Sequence, residues 1–236
     1  MKKTLITLAI VAFVLSLAWC QKKSQAEVVS KPIPEYISAN YDSEFHSLKL
    51  RSKGLTEMPD ICTDITTWTM LNDIRAIDLW DNKITEINAD YSCLPNLQDL
   101  NLSFNQISKI QNLDKLSNLV RLQLHKNNIT KTSWLSNLKN LRILGLWYNQ
   151  ISKVSWLSEL SNLQELELLH NQISDLSRLS DLPNLTSLKL EFNQISDVNQ
   201  LSFITKLKNL KRLSIGENKL PEDAAITLQN QINGER

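Results

Sequence analysis

Residues 97–107 read Leu-Gln-Asp-Leu-Asn-Leu-Ser-Phe-Asn-Gln-Ile, and this frame recurs along the chain. Its leucines alternate with polar residues, which is the period of a short strand with one buried face. The asparagine after the strand recurs every 22 residues, at Asn105, Asn127, Asn149, Asn171 and Asn193. A fixed period of this length predicts a stacked solenoid, in which each unit is a strand, a turn and a return segment.

The repeated asparagine needs its own explanation, because it interrupts an apolar run. A side-chain amide has two donors and one acceptor, so a column of inward asparagines can bond the open backbone groups of each turn. Degenerate copies of the frame extend the column to Asn82 and Asn218, and an eighth copy begins at Phe45 and has Lys53 in the asparagine position. We therefore expect a structural ladder of Asn82, Asn105, Asn127, Asn149, Asn171, Asn193 and Asn218.

The spacing of the copies locates the irregular units. They begin at residues 45, 74, 97, 119, 141, 163, 185 and 210, so insertions lie between Leu55 and Leu71 and around residues 202–206. After each asparagine, apolar residues recur at every third position, as at Ile107, Ile110 and Leu113. That period favours a 3₁₀ or extended return segment over a full helix.

The frame resembles the leucine-rich repeat family, and residues 182–198 are similar to the 22-residue class found in bacterial internalins. The resemblance covers residues 45–220. It implies an α/β solenoid, a right-handed curved array of about eight repeats. A parallel sheet would form its concave face, with 3₁₀ or extended segments on the convex face. The shared activity of the family is protein binding on the curved surface, which names no partner.

The N-terminus indicates export. Lys2 and Lys3 precede an apolar run from Leu5 to Leu17, which is too short for a membrane span of roughly 20 residues. We interpret residues 1–20 as a signal peptide, with a lipobox-like segment at 17–20 that would make Cys20 a lipidation site. Cleavage by a general signal peptidase after Ala18 or Ala26 is the alternative. Lipidation at Cys20 predicts an outer-membrane lipoprotein of the cell envelope. General cleavage predicts a periplasmic or secreted protein.

The segments outside the repeats have separate predicted roles. Residues 21–44 contain Pro32 and Pro34 and little apolar content, so they are predicted to form a tether and an N-terminal cap. Cys62 and Cys93 are an even pair near the first insertion, where a disulfide would staple that cap, although two buried thiols are the alternative. Residues 221–236 are predicted to form an amphipathic C-terminal cap helix.

Two surface columns follow each strand. The first column, one place after the third core residue, contains Arg51, Trp80, Ser103, His125, Trp147, Leu169, Glu191 and Gly216. The second column, the next place, contains Ser52, Asp81, Phe104, Lys126, Tyr148, His170, Phe192 and Glu217. Large apolar groups left exposed usually mark an interaction site. The predicted binding residues are Trp80, Phe104, His125, Trp147, Tyr148, His170, Glu191 and Phe192. In the alternative interpretation, Phe104, Tyr148 and Phe192 pack on each other near the asparagine turn.

Composition and motifs limit the other function classes. The chain has 26 basic and 25 acidic residues, a balance that suggests neither nucleic acid nor an anionic membrane surface as partner. Three histidines at unrelated positions make no metal set, and no phosphate loop or nucleophile motif occurs. We therefore expect a monomer that is not an enzyme, binds no cofactor and recognises a protein, such as one on a host or another cell. The alternatives are an envelope scaffold with no extracellular role and a regulatory subunit of an enzyme.

Overall fold

The computed structural model describes residues 35–59, 61–62, 69–88 and 90–234. The predicted signal peptide, Cys20 and residues 21–34 of the predicted tether and N-terminal cap lie outside these residues, whereas residues 35–44 of that segment are described. Eleven strands occur in the described part of the chain: β1 (Tyr41–Asp42), β2 (Ser47–Lys49), β3 (Ala76–Asp78), β4 (Glu86–Ile87), β5 (Asp99–Asn101), β6 (Lys109–Ile110), β7 (Arg121–Gln123), β8 (Ile143–Gly145), β9 (Glu165–Glu167), β10 (Ser187–Lys189) and β11 (Arg212–Ser214). The α-helices of the same part of the chain are α1 (Glu35–Ser38) and α2 (Glu222–Gly234).

The main sheet has nine strands in the order β1-β2-β3-β5-β7-β8-β9-β10-β11. Every pair is parallel except β1 and β2, and Leu100 is aligned with Leu122 of the next repeat. Among the described residues, six 3₁₀ helices lie on the return side: Thr69–Asn72, Leu113–Lys115, Ser133–Asn137, Ser155–Glu159, Leu179–Asp181 and Val198–Lys206. The predicted solenoid of short parallel strands and 3₁₀ returns is confirmed. The long last 3₁₀ helix contains the insertion near residues 202–206.

The core is a column of leucines between the sheet and the return segments. Leu100, Leu122, Leu144 and Leu166 are completely buried. Each unit leaves its apolar layer open on both sides, so stacking on the next unit is what removes it from water.

The asparagine ladder connects successive repeats. Asn127 Oδ1 accepts from the backbone N–H of Ile107 at 2.9 Å, while Asn127 Nδ2 donates to the carbonyl oxygens of Leu102 and Leu124 at 3.0 and 3.1 Å. Asn149 makes the same three bonds one repeat further on. Because each side chain bonds backbone groups of two repeats, the ladder fixes the turn and the stacking together.

A second asparagine ladder lies directly before the start of six of the strand frames and was not predicted. Asn118 Nδ2 donates to the carbonyl oxygen of Pro95 at 2.8 Å, and Asn140 Nδ2 to that of Ser117 at 2.9 Å. The other members are Asn96, Asn162, Asn184 and Asn209. The same repeat period would have revealed this column, since it lies directly before the first core leucine of each unit.

Both ends of the main sheet are covered. At the C-terminal end, Asn233 of α2 accepts from the N–H of Leu213 at 2.9 Å and donates to its carbonyl at 3.1 Å. Gln229 accepts from the N–H of Ile215 at 2.8 Å. These side chains replace the next strand of the sheet, and Ala225 and Ile232 of the same helix are buried. At the N-terminal end, β1 closes the sheet, and a disulfide joins Cys62 to Cys93 with their Cα atoms 5.7 Å apart.

The prediction that Phe45 starts a repeat with a core residue is wrong. The Phe45 side chain is 65% exposed, whereas Leu48 and Leu50 of the same frame are buried. Residues 43–46 form the turn between the antiparallel strands β1 and β2, so no preceding repeat offers a layer for Phe45 to pack on.

Candidate binding surface

The second surface column forms the edge of the sheet face where each strand turns into its asparagine. All eight of its residues have positive φ, between 49° for Lys126 and 59° for Phe104. L-residues with a Cβ adopt this left-handed conformation at a cost, and here the bonds of the asparagine ladder impose it. The repeated conformation sends successive side chains in the same direction, so that neighbours along the column meet.

Five consecutive members of this column touch one another, and we call them the side-chain stack: Phe104, Lys126, Tyr148, His170 and Phe192. The ammonium of Lys126 lies 4.7 Å from the centroid of Phe104 and 5.4 Å from that of Tyr148. Tyr148 and His170 stack at 3.8 Å, and His170 and Phe192 at 4.1 Å. Tyr148 and Phe192 each remain 45% exposed. The rings therefore pack on their neighbours in the column and still present a surface. Lys126 separates Phe104 from Tyr148, and His170 separates Tyr148 from Phe192, so the three rings are linked through these two side chains.

Trp147 connects the two columns. Its ring meets Phe104 edge-on at 5.8 Å and Tyr148 edge-on at 5.3 Å. Trp80 extends the cluster through a tilted contact with Phe104 at 5.2 Å. Edge-to-face contacts of this kind favour one relative orientation of the rings, so the cluster is an ordered surface before any partner arrives.

His125 lies beneath this cluster, which differs from its predicted role as an exposed contact. Its side chain crosses Gly145 of β8, is only 8% exposed, and packs against Trp147 at 4.8 Å. A Cβ at Gly145 would lie 2.0 Å from the His125 ring, so the glycine makes this position available. No sequence pattern distinguished this glycine. His125 is thus a support for Trp147.

Burial lowers the pKa of His125 to about 4, and Lys189 acts in the same direction. Glu167, whose Oε2 lies 3.6 Å from His125 Nε2, opposes the shift. The imidazole is therefore neutral near pH 7. Its buried Nδ1, like Oε2 of Glu191, has no hydrogen-bond partner among the described residues.

The rest of the sheet face carries charges that neutralise each other. The ion pairs are Lys49 with Asp42, Arg51 with Asp78, Arg121 with Asp99, Lys189 with Glu167, and Arg212 with Glu165. Exposed pairs of this kind contribute little to stability and leave little net charge to attract a partner. The aromatic cluster is consequently the distinctive part of the face.

The tryptophans of the return side are not exposed contacts. Trp156 is 5% exposed, and Trp134 is half-buried against the core. Their Nε1 groups donate to the carbonyl oxygens of Lys153 and Lys131 at 3.2 and 3.0 Å. Both rings therefore shield the adjacent leucines of the return side.

The described residues show neither a metal site nor a membrane-spanning helix. They contain no group of three or more His, Cys, Asp or Glu side chains placed to bind a metal ion. Within the same ranges, no helix is both long and apolar enough to cross a membrane.

Comparison with known proteins places this geometry in a family. Sequence profiles of the leucine-rich repeat match residues 74–115, 117–159 and 140–195. Internalin C2 of Listeria monocytogenes superimposes with a TM-score of 0.64 at 31% identity, over 78% of this chain and 77% of that one. The chain belongs to the leucine-rich repeat family. No match was found among curated protein sequences.

Two further structures resemble this leucine-rich repeat chain. Another Listeria monocytogenes internalin is 30% identical with a TM-score of 0.62, and the match covers 70% of this chain and 48% of the internalin. A leucine-rich repeat protein of Leptospira interrogans is 26% identical with a TM-score of 0.61, over 75% and 50% of the two chains. The chain thus spans about half the length of both proteins.

Proposed function

We propose that this leucine-rich repeat chain is a protein-binding module of the bacterial cell envelope that recognises its partner through the concave face. The observation that carries the proposal is the continuous aromatic cluster of that face, in which Tyr148 and Phe192 remain 45% exposed. Ordered aromatic side chains provide large contact area at low entropic cost, and they dominate the energy of many interfaces.

The location rests on the sequence alone. A basic start, a short apolar run and Cys20 in a lipobox-like segment support export followed by lipid attachment. Mass spectrometry of the mature N-terminus tests this. A lipid-modified Cys20 at the mature N-terminus supports the anchor. A start at Trp19 or Glu27 without lipid contradicts the anchor, and retention of Met1 contradicts export. Protease treatment of intact cells separates surface display from a periplasmic scaffold.

The binding surface is tested by changing its three central rings. Affinity capture with the mature chain supplies a partner, and its dissociation constant is then measured for Trp147→Ala/Tyr148→Ala/Phe192→Ala. We expect at least about 100-fold weaker binding, because each central ring of an interface contributes about 2 kcal/mol or more. Unchanged affinity in a folded variant would contradict the proposed surface.

A matched control uses exposed apolar residues away from the concave face. Val198 and Ile226 are 45% and 48% exposed, so Val198→Ala/Ile226→Ala removes a similar kind of surface. The control variant should bind with unchanged affinity. A loss equal to that of the triple variant would show nonspecific adhesion through apolar patches.

A further inference from the structure

Lys126 is exceptional among the cations of the sheet face. Each of the other five, Lys49, Arg51, Arg121, Lys189 and Arg212, pairs with a carboxylate. The Lys126 ammonium forms no ion pair with any described acidic residue, although it lies midway along the second column. A cation in this position can therefore pair with an acid supplied from outside.

The surroundings of Lys126 are aromatic. Its Nζ lies 4.7 Å from the ring centroid of Phe104, 5.6 Å from Trp147 and 5.4 Å from Tyr148. Contacts with ring faces attract the charge without using up its hydrogen-bond donors. The rings thus keep the ammonium within the cluster while its N–H groups remain available for a partner.

The rest of the side-chain stack presents ring edges. Tyr148, His170 and Phe192 are nearly parallel, with interplanar angles of 22° and 5°, so the two faces of His170 are covered by its neighbours. Ring edges are the electropositive part of an aromatic side chain, and they form favourable contacts with apolar groups and with carbonyl or carboxylate oxygens. The second column contains no acid between Phe104 and Phe192, and its acids, Asp81 and Glu217, lie beyond the stack.

We propose that the partner presents an acidic side chain to Lys126 and apolar side chains along the ring edges on the Phe192 side. This proposal rests on the proposed function and specifies the chemistry of the partner segment. From Lys126 to Phe192 the stack spans three repeat steps, about 14 Å at roughly 4.8 Å per strand. An extended peptide covers that distance in about four to five residues. The recognised element is then a short acidic segment with apolar residues within a few positions.

The test uses a phage-displayed library of random peptides selected on the full chain. Enriched peptides are synthesised, and their affinities are measured by calorimetry for the wild-type protein and for Lys126→Met. We expect enriched peptides to share an Asp or Glu near apolar residues, and to bind Lys126→Met at least tenfold more weakly. For Lys126→Glu, we expect recovery of binding when the peptide's acid is replaced by Lys.

The control variant is Lys153→Met, which removes an exposed lysine from the return side. It should bind the selected peptides as the wild type does, and urea denaturation confirms that each variant is folded. Enriched peptides without an acid, no enriched peptide at all, or affinities within twofold for Lys126→Met would overturn the proposal.

The triple variant of the central rings separates this proposal from the proposed function. Peptides that lose binding to the triple variant but not to Lys126→Met refute the acidic partner and retain the concave surface. Peptides that bind the triple variant unchanged refute both.

Discussion

Replacement of Gly145 by alanine tests how the centre of the concave face is built. The equivalent strand position in the other repeats is occupied by larger residues, namely Lys49, Asp78, Asn101, Gln123, Glu167, Lys189 and Ser214. At Gly145, an added Cβ would lie 2.0 Å from Cε1 and 2.3 Å from Nε2 of His125. Normal carbon contacts are about 3.5 Å or more, so the imidazole must move by about 1.5 Å or leave its site.

The cost follows from what His125 loses. In its present position His125 is only 8% exposed, so the displaced imidazole loses this burial. It also loses its contact with Trp147, whose ring centroid lies 4.8 Å away. Overpacking of this kind costs about 1–3 kcal/mol, and the lost aromatic contact about 0.5–1.5 kcal/mol of that. We therefore expect Gly145→Ala to lower the free energy of unfolding by about 2 kcal/mol in urea denaturation.

Two comparisons show whether the His125 clash is the cause. Gly216→Ala adds a Cβ in open space and should change stability by about 0.5 kcal/mol or less. In a His125→Ala background the clash is absent, so Gly145→Ala should then cost little. An undiminished cost in that background, or equal effects of the two glycine changes, would refute the reasoning.

Three further predictions concern the ladder, the pH dependence and the sheet edge. Asn149→Ala leaves the buried N–H of Ile129 without its partner and removes one of the two ladder bonds at each of the carbonyls of Leu124 and Leu146, so it should cost about 2–4 kcal/mol in urea denaturation. Gln150→Ala on the exposed edge should cost about 0.5 kcal/mol or less. The pKa of His125 is about 4 in the folded chain against 6.5 in the unfolded chain, so the unfolded form binds more protons between these values. Stability should therefore fall as the pH falls from 6.5 to 4, and His125→Gln should remove about 2–3 kcal/mol of this dependence; identical pH profiles would contradict the burial. Gln229→Ala/Asn233→Ala exposes the edge of β11, so concentration-dependent association should appear in light scattering, and a variant that stays monomeric would show that other parts of α2 protect the edge.

The periodic parts of the molecule were predictable, because stacking repeats the same physical demand in every unit. A buried asparagine must satisfy its amide, so the period around Asn105 predicted both the turn and the ladder. The strand frame predicted the parallel sheet for the same reason. The period gave no information where a unit lacks a neighbour, which is why Phe45 was assigned to the core although it lies on a hairpin turn.

The candidate surface was only partly predictable. The two columns identified Trp147, Tyr148 and Phe192 as residues of one face, but their contacts depend on side-chain directions that spacing does not contain. His125 is buried because the neighbouring repeat has a glycine, Gly145, at the strand position that its ring crosses. This combination of a histidine and a glycine occurs in one pair of repeats, so the repeat period could not predict it. The hydrogen bonds of Asn233 to the backbone of Leu213 likewise occur once, between a helix and the last strand, so the repeat period could not predict them.

The left-handed conformation of the second column has a consequence for how this fold could change. Glycine or asparagine would occupy such positions with the least strain, yet none of the eight residues is either. A phenylalanine or tyrosine there stores of order 1–3 kcal/mol of backbone strain. Selection for thermal robustness alone would replace these rings by glycine and erase the surface. Lower backbone strain and the aromatic surface are therefore alternatives at these positions.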